Sequence, residues 1–322
     1  MTELSAELAL YDKDLRRIAA TAKKLVHSDA PLAAKIGRRQ MTGGKRLRAT
    51  VALVCGRLCG IPDDTGDKIA IAIEIIHTAT LLHDDVVDDA PMRRRRSTVN
   101  RTDGNAAAVL VGDFLYSRAS QILAGIGSLP LLAWIAKATN SLAEGEVLQL
   151  EYSGKEIGED AYFDIIGRKT ANLFESAAAA AALVGGHDED SPTLRALAGY
   201  GRHLGMAFQL VDDCLDYAGA DADTGKKIGA DFAEGKMTLP VILALAAADD
   251  ASRRRLLAGW RRDNAGSFAE TLRLVRETGA LEETRRRAAD CARRAEESLS
   301  VFSEESRRPL EMLARASVHR SH

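Results

Sequence analysis

Cysteine, proline and net charge are all scarce in this 322-residue chain. The four cysteines, Cys55, Cys59, Cys214 and Cys291, are too few and too scattered for a disulfide framework. Cys55 and Cys59 share a helix face but lack a second Cys or His pair nearby for zinc, so they read as small core residues. With 44 basic against 46 acidic residues the formal charge is −2, which excludes a general nucleic-acid binder with its basic face. The longest uncharged apolar stretches, Ser176–Gly186 and Met237–Ala248, fall short of the ~20 residues that span a bilayer. The N-terminus, MTELSAELALYDKDL, is acidic where a signal peptide is basic, and no long apolar core follows it. A soluble, cytoplasmic protein is expected.

Only seven prolines occur, at 31, 62, 91, 130, 192, 240 and 309, and most fall between long Ala/Leu/Glu/Arg-rich stretches. Those stretches have helical composition and spacing, and Thr238 precedes Leu239-Pro240 as a helix start would. No period-2 alternation bounded by Asn-Gly or Asp-Gly turns is present, so an all-α fold of about ten or more helices is predicted. Gly/Ser-rich and Pro-rich linkers are also missing. The chain therefore reads as one domain, 1–322, with Arg/Glu-rich outer helices in its last ~70 residues, as at Arg253–Arg255 and Arg285–Arg287.

What is present is concentrated in LLHDDVVDDAPMRRRRST, residues 81–98. Asp84 and Asp88 lie one helical turn apart on one face, with Asp85 beside them and Asp89 next in line. Such a face suits a hard divalent cation. Mg²⁺ typically keeps one or two carboxylates plus substrate phosphates, so an aspartate trio that closes no protein cage points to a phosphate-bearing substrate. The run Arg93, Arg94, Arg95, Arg96 supplies the other half of the grip. Alone, it would read as a solvated basic loop or a localisation patch. A second element, Gln209-Leu-Val-Asp212-Asp213-Cys-Leu-Asp216, repeats the D-D-x-x-D spacing on another apolar helix. To share a metal cluster the two must face each other across one core.

Further cations trail these acidic elements. Gly43-Gly44-Lys45-Arg46-Leu47-Arg48 opens an apolar helix and pairs anion-accessible backbone with a point charge and a fork. His77 is seven residues before Asp84, about two turns away and nearly in line, where a lone histidine is usually a satisfied core residue. Lys169-Thr170 sits in an Ala-rich helical reading, where a lysine is expensive unless paired or lining a cleft. Gly225-Lys226-Lys227-Ile228-Gly229-Ala230-Asp231 and Glu234-Gly235-Lys236 form a lysine-bearing loop. Metal and cations together point to a polyanion.

With these segments assembled, the chain resembles the trans-polyprenyl diphosphate synthases, most closely the octaprenyl or long-chain type that makes quinone side chains. The likeness runs from the Gly-Gly-Lys-Arg-Leu-Arg segment through IEIIHTATLLHDDVVDD, LVGDFLYSRA, EGEVLQLE, KTANLFESAA, GMAFQLVDDCLDY and IGADFAEGKMTLP. Ala49, Arg95 and Ser97 depart from residues common in the family. The resemblance implies an isoprenoid-synthase helical bundle, a homodimer, and about three Mg²⁺ ions per site. It makes Asp84, Asp88 and Asp212 the leading ligands, with Asp85, Asp213 and Asp216 supporting. It assigns Arg93, Lys169, Thr170, Gln209, Lys226 and Lys236 to an allylic diphosphate, and Lys45, Arg48, His77 and Arg94 to isopentenyl diphosphate.

The implied chemistry is a 1′-4 condensation of isopentenyl diphosphate onto a farnesyl or geranylgeranyl primer. Without metal, each carboxylate–phosphate pair at ~4 Å costs about 4 kcal/mol at an effective dielectric of 20. Ala79, five residues before Asp84, leaves a product cavity unfloored where an aromatic residue would close it, which by analogy with the family favours a long product. Three rivals remain to be weighed. A class I terpene cyclase would leave Lys45, Arg48 and His77 without a second substrate. A non-catalytic subunit of a heteromeric synthase would be expected to lose aspartates. A short-chain farnesyl or geranylgeranyl synthase differs only in product length.

Overall fold

The computed structural model describes residues 3–93, 96–218, 229–260 and 265–319. Arg94 and Lys226, two expected diphosphate ligands, lie outside these residues, as do Arg95 and Lys227.

The chain opens with helices α1 (Glu3–Ala9), α2 (Asp12–Leu25), α3 (Pro31–Gln40) and α4 (Leu47–Leu58), then the long α5 (Asp63–Val87). After the short α6 (Val99–Thr102) come α7 (Asn105–Ile126), α8 (Leu129–Tyr152), α9 (Glu159–Ile166), a π-helical turn (Gly167–Ala171), α10 (Asn172–Val184) and α11 (Pro192–Ala218). The remainder comprises α12 (Ala230–Ala233), α13 (Leu239–Ala247), α14 (Asp250–Trp260), α15 (Ala265–Glu277), α16 (Ala280–Ser298) and α17 (Glu304–Val318). The all-α expectation is met. One two-residue antiparallel ladder, β1 (Met92–Arg93) with β2 (Arg96–Ser97), interrupts it, a pairing too short for any alternation to register in sequence.

Proline placement explains several helix starts. Pro31 opens α3, Pro130 and Pro240 occupy the first two positions of α8 and α13, and Pro192 begins α11, where the missing N–H has no helical partner to lose. Pro309 differs: it lies inside α17, which continues past it.

α10 is the axis of the bundle. Its stretch Ser176–Leu183 is buried on every side, as expected of a helix apolar all round, and the alanines let α4, α5, α8 and α11 approach it closely. α11 spans two core clusters. Leu194, Leu197, Tyr200 and Leu204 join the cluster of α4, α5, α7 and α10, while Leu210, Val211, Cys214 and Tyr217 join that of α9 and the helices after residue 230. The Asp212 motif therefore sits where the second cluster meets the first. α16 has the expected outer character, burying Leu281, Ala288 and Ala295 while Arg286 pairs with Glu283 and Asp290 on its wet face.

Candidate active site

α5 delivers the first aspartates at its C-terminal end. Asp88 is the C-cap, and its N–H donates to Asp84 O at 2.8 Å, so the two remain one turn apart and half-buried. Asp85 is rotated inward and buried. Its Oδ1 accepts Arg93 Nε at 2.6 Å, and its main-chain oxygen accepts Asn100 Nδ2 at 2.8 Å, stapling the Arg hairpin to the helix. The Nε of Arg93 is thus committed to a carboxylate. Burial holds the Asp84 carboxyl above the usual range, opposed by Lys169 and Arg93.

α11 carries the second set. Asp212 is half-buried, but Asp213 is enclosed: its Oδ1 accepts Gln209 Nε2 at 2.7 Å and its Oδ2 accepts the Tyr162 hydroxyl at 2.5 Å. Thr170 Oγ1 donates to Gln209 Oε1 at 2.8 Å, so two expected substrate ligands bond to each other. Burial first, then Asp212 and Asp216, push the Asp213 carboxyl up to about 7 against the pull of the Tyr162 and Gln209 hydrogen bonds. Asp213 is a scaffold for this network. Asp216 accepts the backbone N–H groups of Ala230 and Asp231 at 3.2 and 3.1 Å, holding the start of α12.

Two lysines close the cleft. Lys236 Nζ lies 2.9 Å from Asp88 Oδ2 and 2.6 Å from Glu234 Oε2. Burial alone would lower its pKa, but these carboxylates push it above the usual lysine range. Lys169 belongs to the π-helical turn rather than a regular α-helix, because the Asn172 N–H reaches back to Gly167 O. Its Nζ sits 2.6 Å from both Glu146 Oε2 and Gln149 Oε1 on α8. A small cavity of about 50 Å³ is lined in part by Gln149, Tyr162, Gln209, Asp213, Asp231 and Lys236, so α8, α9, α11 and the loop after it meet at one point.

A third cationic group stands at the start of α4. Gly43 and Gly44 take φ of +87° and +84°, a turn that favours glycine, and Lys45 is exposed beyond them. Arg46 is structural, since its guanidinium donates to Leu15 O and Met41 O at 3.1 and 2.7 Å. Arg48 stacks 4.3 Å from the Phe174 ring centroid with its Nη1 3.4 Å from His77 Nε2, so His77 belongs with Arg48. Ala79 is fully packed in the first core cluster.

The sequence reading missed Glu146, Gln149, Tyr162, Phe174 and Asp231 as parts of this site. Glu146, Gln149 and Phe174 stand inside segments that carried the resemblance, EGEVLQLE and KTANLFESAA, whereas Tyr162 has no local signal. Asp231 is held beside Asp216 and Asp213, which with burial push its carboxyl well above the usual range.

The donor chemistry fits a hard cation. Asp84, Asp88 and Asp212 offer only carboxylate oxygens, and among the described residues no three His, Cys, Asp or Glu side chains form a closed metal cage. That is the donor set of a cation that keeps water and substrate oxygens in its shell. An α-helical bundle whose cleft sets aspartates against lysines and arginines defines an enzyme of phosphorylated substrates.

Comparison with known proteins narrows this. The sequence profile described as "Polyprenyl synthetase" matches residues 31–275. The octaprenyl diphosphate synthase of Haemophilus influenzae is 42% identical over 320 residues, covering 97% of this chain and 96% of its own. A polyprenyl synthase from Caulobacter crescentus, crystallised with calcium and isoprenyl diphosphate, superposes with a TM-score of 0.90 at 38% identity, covering 99% of this chain and 98% of its own. A decaprenyl diphosphate synthase from Rhodobacter capsulatus gives 0.90 at 36% identity over 99% of each chain. The chain belongs to the polyprenyl synthetase family, whose members are prenyltransferases. Among the described residues no helix is long and apolar enough to cross a membrane.

Proposed function

We propose that this protein is a long-chain all-trans polyprenyl diphosphate synthase. It condenses isopentenyl diphosphate 1′-4 onto an allylic primer, farnesyl or geranylgeranyl diphosphate, to make quinone side chains. It works as a cytoplasmic homodimer with residues 1–322 as one domain. The observation that carries this reading is the Lys236 to Asp88 contact, which joins the loop after the second aspartate motif to the first motif. The octaprenyl and decaprenyl relatives support the long product.

Asp84, Asp88 and Asp212 would hold Mg²⁺, about three ions per site, with Asp216 supporting them from the next turn of α11. Mg²⁺ there supplies positive charge that stabilises the departing diphosphate. Lys169 and Lys236, with Thr170, Gln209, Arg93 and Lys226, orient the allylic diphosphate so that charge gained on C–O cleavage meets preplaced donors. Lys45, Arg48, His77 and Arg94 hold isopentenyl diphosphate, whose double bond attacks the allylic carbon. The departing diphosphate takes the proton lost from C2, so no side chain is needed as base. Apolar helix walls around the cleft would keep water from the cationic carbon.

Turnover with Mg²⁺, with Mg²⁺ chelated, and in Asp84→Ala and Asp212→Ala tests the metal assignment. Loss of one preorganised electrostatic contact costs ~10²–10³ in rate, and each variant should fall at least that far while staying folded. Near-normal turnover in either variant, or in chelator, rules it out.

A further inference from the structure

The segment EGEVLQLE supplies Gln149 to the cavity lined by Gln209 and Asp213, its Glu146 stands near enough to feel the charge of Asp84, and the proposed chemistry leaves it without a task. On α8, Glu146 and Gln149 are three residues apart and present adjacent side chains on one face. Both reach Lys169 Nζ, at 2.6 Å each, over sequence separations of 23 and 20 residues. Gly145 makes that reach short enough. A Cβ there would lie 2.8 Å from Arg168 Cβ and 3.0 Å from Lys169 N, so α8 packs on the π-helical turn only with glycine at this position. The π turn in turn offsets Lys169 and Thr170 from the frame of α10.

An ammonium has three N–H donors, and two are taken. Among the described residues no third partner lies within hydrogen-bond distance of Lys169. The third hydrogen is left for a ligand in the cleft. Asp84 is the competing carboxylate, since Lys169 and Glu146 both stand near enough to act on its charge. A lysine this close to Asp84 with no other anchor would fold onto it and neutralise a proposed metal ligand.

We infer that Glu146 and Gln149 are positioning residues that hold the Lys169 ammonium on the α8 side of the cleft, off Asp84 and aimed at the allylic diphosphate. The inference rests on the proposed role of Lys169 in binding that diphosphate. Glu146 carries the charge that outcompetes Asp84, and Gln149 fixes the direction of the remaining N–H. Neither touches the reacting atoms.

Steady-state kinetics with Mg²⁺, farnesyl diphosphate and isopentenyl diphosphate test this. Lys169→Ala should raise KM for the primer. Glu146→Ala should raise the same KM by about tenfold, the scale of one lost charge-assisted hydrogen bond, while KM for isopentenyl diphosphate stays within about twofold. Glu146→Gln, which keeps an acceptor but not the charge, should recover only part of the loss, and Gln149→Leu should raise the primer KM several-fold. Combined with Lys169→Ala, Glu146→Ala should have no further effect, because the group it positions is gone. Multiplicative effects, or a primer KM within twofold of the parent in Glu146→Ala, would overturn the inference. If Glu146→Ala fails to fold, Gln149→Leu decides by the same primer-specific criterion. An unchanged primer KM in Lys169→Ala removes the reading of Lys169 itself, and the positioning role with it.

Discussion

Lys236 Nζ stands 2.9 Å from Asp88 Oδ2 across 148 residues of sequence. The contact ends a chain of bonds that begins at the second motif. Asp216 holds the amides of Ala230 and Asp231, Asp231 O accepts Lys236 N at 2.8 Å, and the Lys236 side chain then crosses to the end of α5. With 14% of its side chain exposed, Lys236 is both a strut between the motifs and a cation facing the cleft.

Replacing that cation without its charge should affect binding and stability together. Lys236→Met keeps the apolar stem but leaves Asp88 and Glu234 without their shared partner. kcat/KM for the allylic primer is expected to fall by ~10², the scale of one lost preorganised electrostatic contact. In chelator, melting temperature should also drop, because two half-buried carboxylates lose their counter-ion. Unchanged primer kinetics would show that Lys236 is a strut alone.

Arg48 should separate the two substrates. Its guanidinium is held by Phe174 and His77, on α10 and α5. Arg48→Ala removes a charge-assisted contact of ~1.5–3 kcal/mol, so KM for isopentenyl diphosphate should rise tens-fold and that for the primer much less. Equal effects on both would refute the division of the sites.

Ala79 is proposed to set product length, and a substitution there tests it. Its methyl group is 1% exposed among Ile75, Ile76 and Leu82 on α5, about one and a half turns from Asp84 at ~1.5 Å per residue. Ala79→Tyr adds a ring to a packed region and opposes further elongation by overpacking worth ~1–3 kcal/mol or more. The main product should shorten to about the three- or four-isoprene class, with the first condensation still active. An unchanged product length in a folded, active variant would put the floor of the product cavity elsewhere.

Asp213 makes stability depend on pH. Burial pushes its carboxyl up to about 7 in the folded chain, against 3.8 for an ordinary aspartate, so between these values the folded state holds a proton that the unfolded state has lost. Stability from this group therefore falls as pH rises through that window, and the full cost is present above it. Asp213→Asn removes the titration while keeping an acceptor for Gln209. In chelator, the melting temperature of the variant relative to the parent should climb by several degrees from about pH 5 to about pH 8. A constant difference would mean that Asp213 is not held protonated.

The aspartates were legible because charge repeated on apolar helices has few bland explanations, and the helices were legible from composition and proline placement. The division of labour within D-D-x-x-D was not. Asp85 and Asp213 have the same local spacing as their neighbours, yet rotation about the helix axis turns each inward to Arg93 or Tyr162. Such partners depend on packing between distant elements. The same holds for Lys169: an Ala-rich flank predicts an α-helix, while the π turn arises where the chain packs against α8 and α11. His77 looked like a core histidine two turns from Asp84, and only the placement of α4 beside α5 brings Arg48 to it.

The central claim is tested most directly by sizing products. The purified chain, incubated with Mg²⁺, farnesyl diphosphate and labelled isopentenyl diphosphate, should yield all-trans polyprenyl diphosphates well beyond the four-isoprene stage, and none when the metal is chelated. Products that stop at farnesyl or geranylgeranyl length, or elongation that continues in chelator, would contradict the account.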